Sequence, residues 1–306
     1  MQKKRIEKLM GNRFEITVEA EKTRDADQFL QVAVDEIGRI EEKLSTFKEQ
    51  SETNRINRNA GIAAVEVSDE TFQLIKRSQK ISALTQGAFD ISYGSLDKRF
   101  WNFDTRMTSL PDRKTAKSMV KLINYRNIIL DDEKNTVFLK NRGMRIGFGG
   151  IGKGYAAEKT KELLKNMGVK AGIVNASGDL TAWGIPENGH KWTIGIVHPD
   201  FKDMPFSYLD VTDLAVATSG NYEKFAVIDG KKYSHTIDPQ TGFPIQGIKS
   251  VTIICPNAEI SDALATPVTV MGIKAGLGMI NQMKDISCII IDDFNNMYYS
   301  KNIRII

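Results

Sequence analysis

Cysteine and histidine are both scarce in this chain. Its 306 residues include two cysteines, Cys255 and Cys288, and three histidines, His190, His198 and His235. The cysteines have no metal-ligand spacing. Each sits in an apolar run (VTIIC, SCIII) and reads as a lone buried thiol, with a disulfide between them the open alternative. No run approaches the roughly 18 apolar residues of a membrane span. No apolar segment opens the chain either: MQKKRIEKLMGNRF is polar from the start. Charge of either sign is nearly balanced, 42 Lys and Arg against 38 Asp and Glu, leaving +4. That small excess suits an anionic small molecule, and without a basic cluster interleaved with aromatics it argues against nucleic acid. Internal repeats, low-complexity linkers and a clean boundary are also missing, so residues 1–306 read as one domain or two intertwined subdomains.

What is present has the order of a mixed fold. An opening with alternating apolar residues (Ile6, Leu9, Phe14, Ile16, Val18) reads as strands. A long amphipathic helix is expected from Asp25 to about Leu44, with Phe29, Val32, Val34, Ile37, Ile40 and Leu44 inward. A second runs from about Asp69, with Phe72, Ile75, Ile81 and Leu84 on its apolar side. RNIILDDEKNTVFLK reads as a hairpin, MRIGF as a short strand, and Lys153 to about Met167 as a helix. Strands AGIVNASGDLTAWG and WTIGIV follow, then a hairpin, FAVIDGKKYSHTI, turning at Asp229-Gly230. After strand SVTIICP comes a helical region from Ser261 and a last apolar strand, ISCIIID. Clustered strands with irregular helices point to an α+β fold.

One stretch concentrates the chemistry. GFGGIGKGYAAEKT, Gly147 to Thr160, meets a G-x-G-x-x-G pattern and most of a Walker A loop. The Walker reading stops at Gly154, where a Ser or Thr must ligate magnesium. The dinucleotide reading wants an acid at the end of the next strand; that strand ends in Asn175, with Asp179 four residues later. Glycines that serve a tight turn alone are a third reading. Five glycines in eight residues beside Lys153 at a helix N-terminus favour a phosphate-bearing ligand, and a diphosphate suits them.

Further segments narrow the choice. They are MGNRFEITV, LSTFKEQSETNRIN, GAFDISYGSL with Trp101 after it, VNASGDLTAWG, ATSGNYEKF, YSHTIDPQTGFPI and SDALATPVTVMG. Together with the glycine stretch they resemble, in order, the FAD:protein FMN transferase (ApbE) family, from Met10 to Gly272. The resemblance implies a T-fold-like architecture of mainly antiparallel sheets packed with helices. It also implies an enzyme that uses Mg²⁺, splits the diphosphate of FAD, transfers FMN to a threonine of a partner protein and releases AMP. Acceptor threonines in such partners lie in a segment resembling D-[GA]-x-[ST]-[GA]-[AS]-T, which this chain lacks.

For the metal the resemblance points to Asp262 and Thr266, with the backbone carbonyl of Gly150. Asp262 and Thr266 are four apart, hence on one helical face, and their oxygens form a hard-ligand set. The plainer alternative is that Asp262 or Ser261 caps a helix. Pro267 departs from the commoner family residue and removes the N–H that would bond the Ala263 carbonyl. For FAD the resemblance points to Met10, Phe47, Ala88, Phe89, Asp90, Gly147, Lys153 and Ile237. His235, with Asp262 and Lys153, is implied in the transfer itself. A neutral imidazole there would take the proton of the incoming hydroxyl; an ordinary hairpin histidine is the alternative. Asp238 to Gly242 is turn chemistry in its own right. Phe47 stands where the family often has Tyr, Gly147 where it has Asp, and Ser177 where it has Gly. Water in place of threonine would make the same site an FAD diphosphatase, and a non-catalytic flavin-binding module is the alternative of another class. Export, with a leader removed before QKKRIEK, is the expected localisation; a cytosolic member is the alternative.

Overall fold

A computed structural model describes residues 1–97, 109–197, 205–220, 225–228 and 230–303. Trp101, His198, residues 221–224 of the ATSGNYEKF segment and Asp229 lie outside the described residues.

The helices are α1 (Thr23–Leu44), α2 (Glu52–Arg58), α3 (Asp69–Leu84), α4 (Arg113–Met119), α5 (Gly152–Asn166), α6 (Ala258–Met271) and α7 (Ile273–Ile280). The strands are β1 (Gln2–Leu9), β2 (Asn12–Glu19), β3 (Val65–Glu66), β4 (Ile128–Asp131), β5 (Thr136–Leu139), β6 (Gly172–Ala176), β7 (Asp179–Trp183) and β8 (Trp192–Val197). They continue as β9 (Pro205–Val211), β10 (Leu214–Gly220), β11 (Phe225–Ile228), β12 (Lys231–Ser234), β13 (Ile248–Cys255), β14 (Ser287–Asp292) and β15 (Met297–Tyr299).

The main sheet has eight strands in the order β1-β2-β6-β7-β10-β13-β14-β15, every neighbour antiparallel. Strand alternation sorts its side chains to two faces. Phe14, Ile16, Val18, Val174, Val251, Ile253 and Ile290 join Leu30, Ile37, Tyr155 and Leu264 from α1, α5 and α6 in the principal core. On the other face Leu180, Val216, Ile254 and Ile289 pack against Trp192, Ile194 and Val211 of the β8–β9 hairpin. The sheet is thus covered by helices on one side and by a two-stranded flap on the other, the α+β arrangement expected.

Several local expectations change. The buried stripe of α1 is Ala26, Leu30, Ala33, Ile37, Ile40 and Leu44; Phe29 and Val34 only flank it, packed from its edge. Leu84 is exposed at the end of α3. MRIGF is not a strand. Met144, Ile146 and Phe148 alternate inward as in one, but at the centre of the segment side chains, not a neighbouring strand, bond the backbone. Asn57 takes the Ile146 N–H at 2.7 Å and donates to its carbonyl at 3.0 Å. Ser95 does the same for Arg145 at 2.8 and 2.9 Å. α6 starts at Ala258, capped by Asn257, whose side chain accepts from Ile260 N at 3.0 Å. That removes the capping role from Ser261 and Asp262. Both cysteines are buried and free, so the disulfide alternative is closed.

Candidate functional site

The glycine turn is where the chain's distant segments meet, and four of its five glycines each face a different one. A Cβ on Gly147 would lie 3.5 Å from Cγ2 of Thr46, beside Phe47. On Gly150 it would lie 3.7 Å from Cε2 of Phe89, and on Gly152 3.6 Å from Cε of Met10. On Gly154 it would lie 2.1 Å from the Ala258 carbonyl oxygen and 2.6 Å from Cβ of Asp262. Gly149 alone of the five meets nothing within 4 Å. Met10, the Phe47 loop, Phe89 and Asp262 therefore converge on one turn from four parts of the sequence.

Local chemistry places each. Met10 and Gly11 take positive φ (51° and 71°) at the β1–β2 turn, and Met10 N–H donates to Glu41 of α1 at 2.9 Å. Phe89 is buried under Gly150, and Ala88 beside it is half-buried. Asp90 is buried too, and its carboxylate is spent on the protein. One oxygen accepts from Ser92 N and Oγ at 2.8 and 2.6 Å, the other from Tyr125 N at 2.7 Å. Its carboxyl is raised by burial, against those hydrogen bonds. The ring of Phe47, by contrast, is 97% exposed.

α5 begins without a side-chain cap. Its Gly154 N–H, one of the first-turn donors that have no carbonyl partner within the helix, donates to Asp262 Oδ2 of α6 at 2.9 Å. Gly154 permits this because no Cβ intervenes between the helices. Lys153, the residue before it, ion-pairs with Asp179, whose carboxylate is buried at the start of β7. Asp262 is buried as well, and its carboxyl is raised to about 7 by desolvation and by the Asp179 charge, against Lys153 and the N–H groups of Gly154 and Lys153. In the sequence Asp179 stands out only as a loosely placed ribose acceptor. The structure makes it the partner of Lys153. The signal was a carboxylate opening a strand whose five residues are all buried.

The residues expected to hold a cation carry hard oxygen donors. Among the described residues no group of three His, Cys, Asp or Glu side chains is assembled. Asp262, Thr266 one turn on along α6, and the Gly150 carbonyl offer oxygens only, which is the preference of Mg²⁺. Pro267 is accommodated inside α6.

His235 follows β12 and is half-buried. Two residues on, Ile237 is fully buried with Leu96, Met119 and Val120, so it supports this segment from within. Ile237 N–H donates to the Tyr93 hydroxyl at 3.1 Å, and Gly94 next door packs against Arg145 and Ile146 just before the glycine turn. That chain of contacts ties the His235 segment to the site. Asp238 makes turn bonds: it accepts from Gln240 N at 2.7 Å and from Thr241 Oγ1 at 2.9 Å. Ser177 takes φ +53°, and its hydroxyl both accepts from and donates to the Arg13 backbone at 3.2 and 3.1 Å. Those bonds offset the strain of a side chain where the family often has glycine.

Known proteins are similar to this chain over most of its length. The FAD:protein FMN transferase of Klebsiella pneumoniae (strain 342) is 31% identical over 258 residues, 83% of this chain and 79% of that protein. The one from Treponema pallidum (strain Nichols) is 29% identical over 263 residues, 81% and 72% of the two chains. The crystal structure of the ApbE protein from Thermotoga maritima superposes with a TM-score of 0.89 at 30% identity, over 98% of this chain and 97% of that one. The flavin transferase ApbE from Vibrio cholerae has the same fold, with a TM-score of 0.86 at 24% identity over 98% and 97%. The ApbE family's sequence model matches residues 10–290, and this chain belongs to that family.

Proposed function

We propose that this chain is a magnesium-dependent FAD:protein FMN transferase that moves FMN from FAD to a threonine hydroxyl of a partner protein and releases AMP. The observation that carries the reading is the convergence on the glycine turn. Met10, Phe89 and the Phe47 loop supply apolar surface for flat rings, and Asp262 and Lys153 supply charge beside them.

Asp262, Thr266 and the Gly150 carbonyl would hold Mg²⁺, which when bound draws negative charge from the diphosphate oxygens. Lys153, at the open N-terminus of α5, adds a cation next to the same oxygens. Asp179 holds that ammonium in place until the substrate arrives. Phe47 and Met10 orient the ring system so that the flavin-side phosphorus faces the entering hydroxyl. His235 takes the hydroxyl proton as the threonine oxygen bonds to that phosphorus. The bridging P–O bond breaks, and its electron pair leaves with AMP.

The test is incubation with FAD, Mg²⁺ and a domain bearing the acceptor motif, followed by intact-mass measurement. The expected result is a gain of one FMN on the acceptor with stoichiometric AMP, abolished by a chelator and by Asp262→Asn. AMP and free FMN without acceptor modification would assign a diphosphatase. FAD binding with no AMP under any condition would reject catalysis.

A further inference from the structure

α2 is short, and its inward face is polar. Thr53, Asn54, Ile56 and Asn57 are its buried residues, and the three polar ones bond to the backbone of other segments. Ser51, the cap of α2, donates to the Ser45 carbonyl at 2.6 Å, and Thr53 Oγ1 donates to that of Leu44 at 3.0 Å. Asn54 Nδ2 donates to the carbonyls of Thr46 and Lys48, both at 2.9 Å. Phe47 lies between those two carbonyls. Packing does not hold its ring, which is 97% exposed; the order of this loop comes from the backbone bonds beneath it. One turn along α2, Asn57 grips Ile146, the residue before Gly147.

We propose that Asn54 is a positioning residue acting through Phe47. It holds the 46–48 backbone in the ligand-competent shape before any ligand arrives, while Asn57 fixes the opposite wall at the start of the glycine turn. The gap between ring and turn is thereby preset for a flat aromatic system carrying a diphosphate, and the ordering cost of binding falls on folding instead. The inference rests on the flavin reading of the site given above.

The experiment is a double-mutant cycle on FAD affinity, measured by calorimetry with the full chain in magnesium buffer. Phe47→Ala weakens binding by about tenfold. Asn54→Ala weakens it by about fivefold when Phe47 is present. In the Phe47→Ala background it weakens binding by less than about twofold, because the ring it positions is gone. Equal losses in both backgrounds would make Asn54 a structural residue only and overturn the proposal. Backbone relaxation of the unaltered chain decides the matter even if Asn54→Ala does not fold. Order parameters near about 0.85 at Thr46, Phe47 and Lys48 without ligand support preorganisation; values below about 0.6 that rise only with FAD overturn it. An unaltered chain that binds no FAD refutes the flavin reading, and the relaxation result still shows whether the loop is held.

Discussion

Replacing Gly154 by alanine would set a methyl group 2.1 Å from the Ala258 carbonyl oxygen and 2.6 Å from Cβ of Asp262. The first is backbone and the second is fixed to it, so no flexible side chain can swing aside. Relief requires α5 and α6 to separate, which also breaks the 2.9 Å bond from Gly154 N–H to the Asp262 carboxylate. Overpacking of this kind costs about 1–3 kcal/mol. A lost hydrogen bond to a charged group adds about 1.5–3 kcal/mol. Alanine's better helix propensity returns about 1 kcal/mol. The expected net loss is about 1.5–5 kcal/mol, read by urea unfolding. Gly149→Ala is the internal control, because its Cβ would meet nothing within 4 Å; its stability should stay within about 0.5 kcal/mol of the parent. Separation of the helices also moves Asp262 away from Gly150, so the magnesium needed for half-maximal AMP release should rise at least about tenfold. A Gly154→Ala protein within about 1 kcal/mol of the parent would refute the steric argument. Lost stability with an unchanged magnesium requirement would refute the link between helix contact and cation site.

Two further outcomes follow from charged groups. Lys153→Met leaves the buried Asp179 carboxylate beside Asp262 without its counter-ion, which should cost about 2–4 kcal/mol. Lys153→Met with Asp179→Asn should recover at least half of that in urea unfolding, and strict additivity of the two changes would sink the pairing argument. Glu70 joins three helices, accepting from Arg39 and Lys43 of α1 and from the Tyr155 hydroxyl of α5. The Arg39 hydrogen bond leads the causes that lower its carboxyl from 4.5 to about 2. A lowered carboxyl stabilises the fold above pH 4.5 and loses that contribution as pH falls toward 2. Glu70→Gln should therefore be less stable at pH 7 by about 1–2 kcal/mol after screening, and its unfolding curve should converge on the parent's between about pH 5 and 2. A gap that persists at the acid end would assign the loss to shape rather than charge.

Elements whose burial is apolar and periodic were legible before the structure. β2 buries Phe14, Ile16 and Val18 at alternate positions, and α3 places Phe72, Ile75 and Ile81 inward as spacing requires. Where burial is polar the pattern fails. α2 shows no hydrophobic period because its inward residues are Thr53, Asn54 and Asn57 beside a single Ile56, so nothing in its composition announces a helix. MRIGF fails in the opposite sense. It has the alternation of a strand, but Asn57 and Ser95 take the backbone bonds a neighbouring strand would make. Alternation reports which side chains are buried and does not report who satisfies the backbone.

The same distinction governs the site. Glycine density beside Lys153 marked a turn where chain and ligand come close, and that much is a local property. What each glycine makes room for is not. Gly154 exists for α6, a helix more than a hundred residues away in sequence, as the bond to Asp262 at a separation of 108 shows. A reader of GFGGIGKGYA sees a phosphate motif, yet the glycine that breaks the Walker pattern is the one the packing most requires. The departure from one motif and the approach of Asp262 to the turn are therefore one fact: a Ser or Thr at position 154 would place its Cβ within the Ala258 carbonyl, and no carboxylate from α6 would reach the helix start.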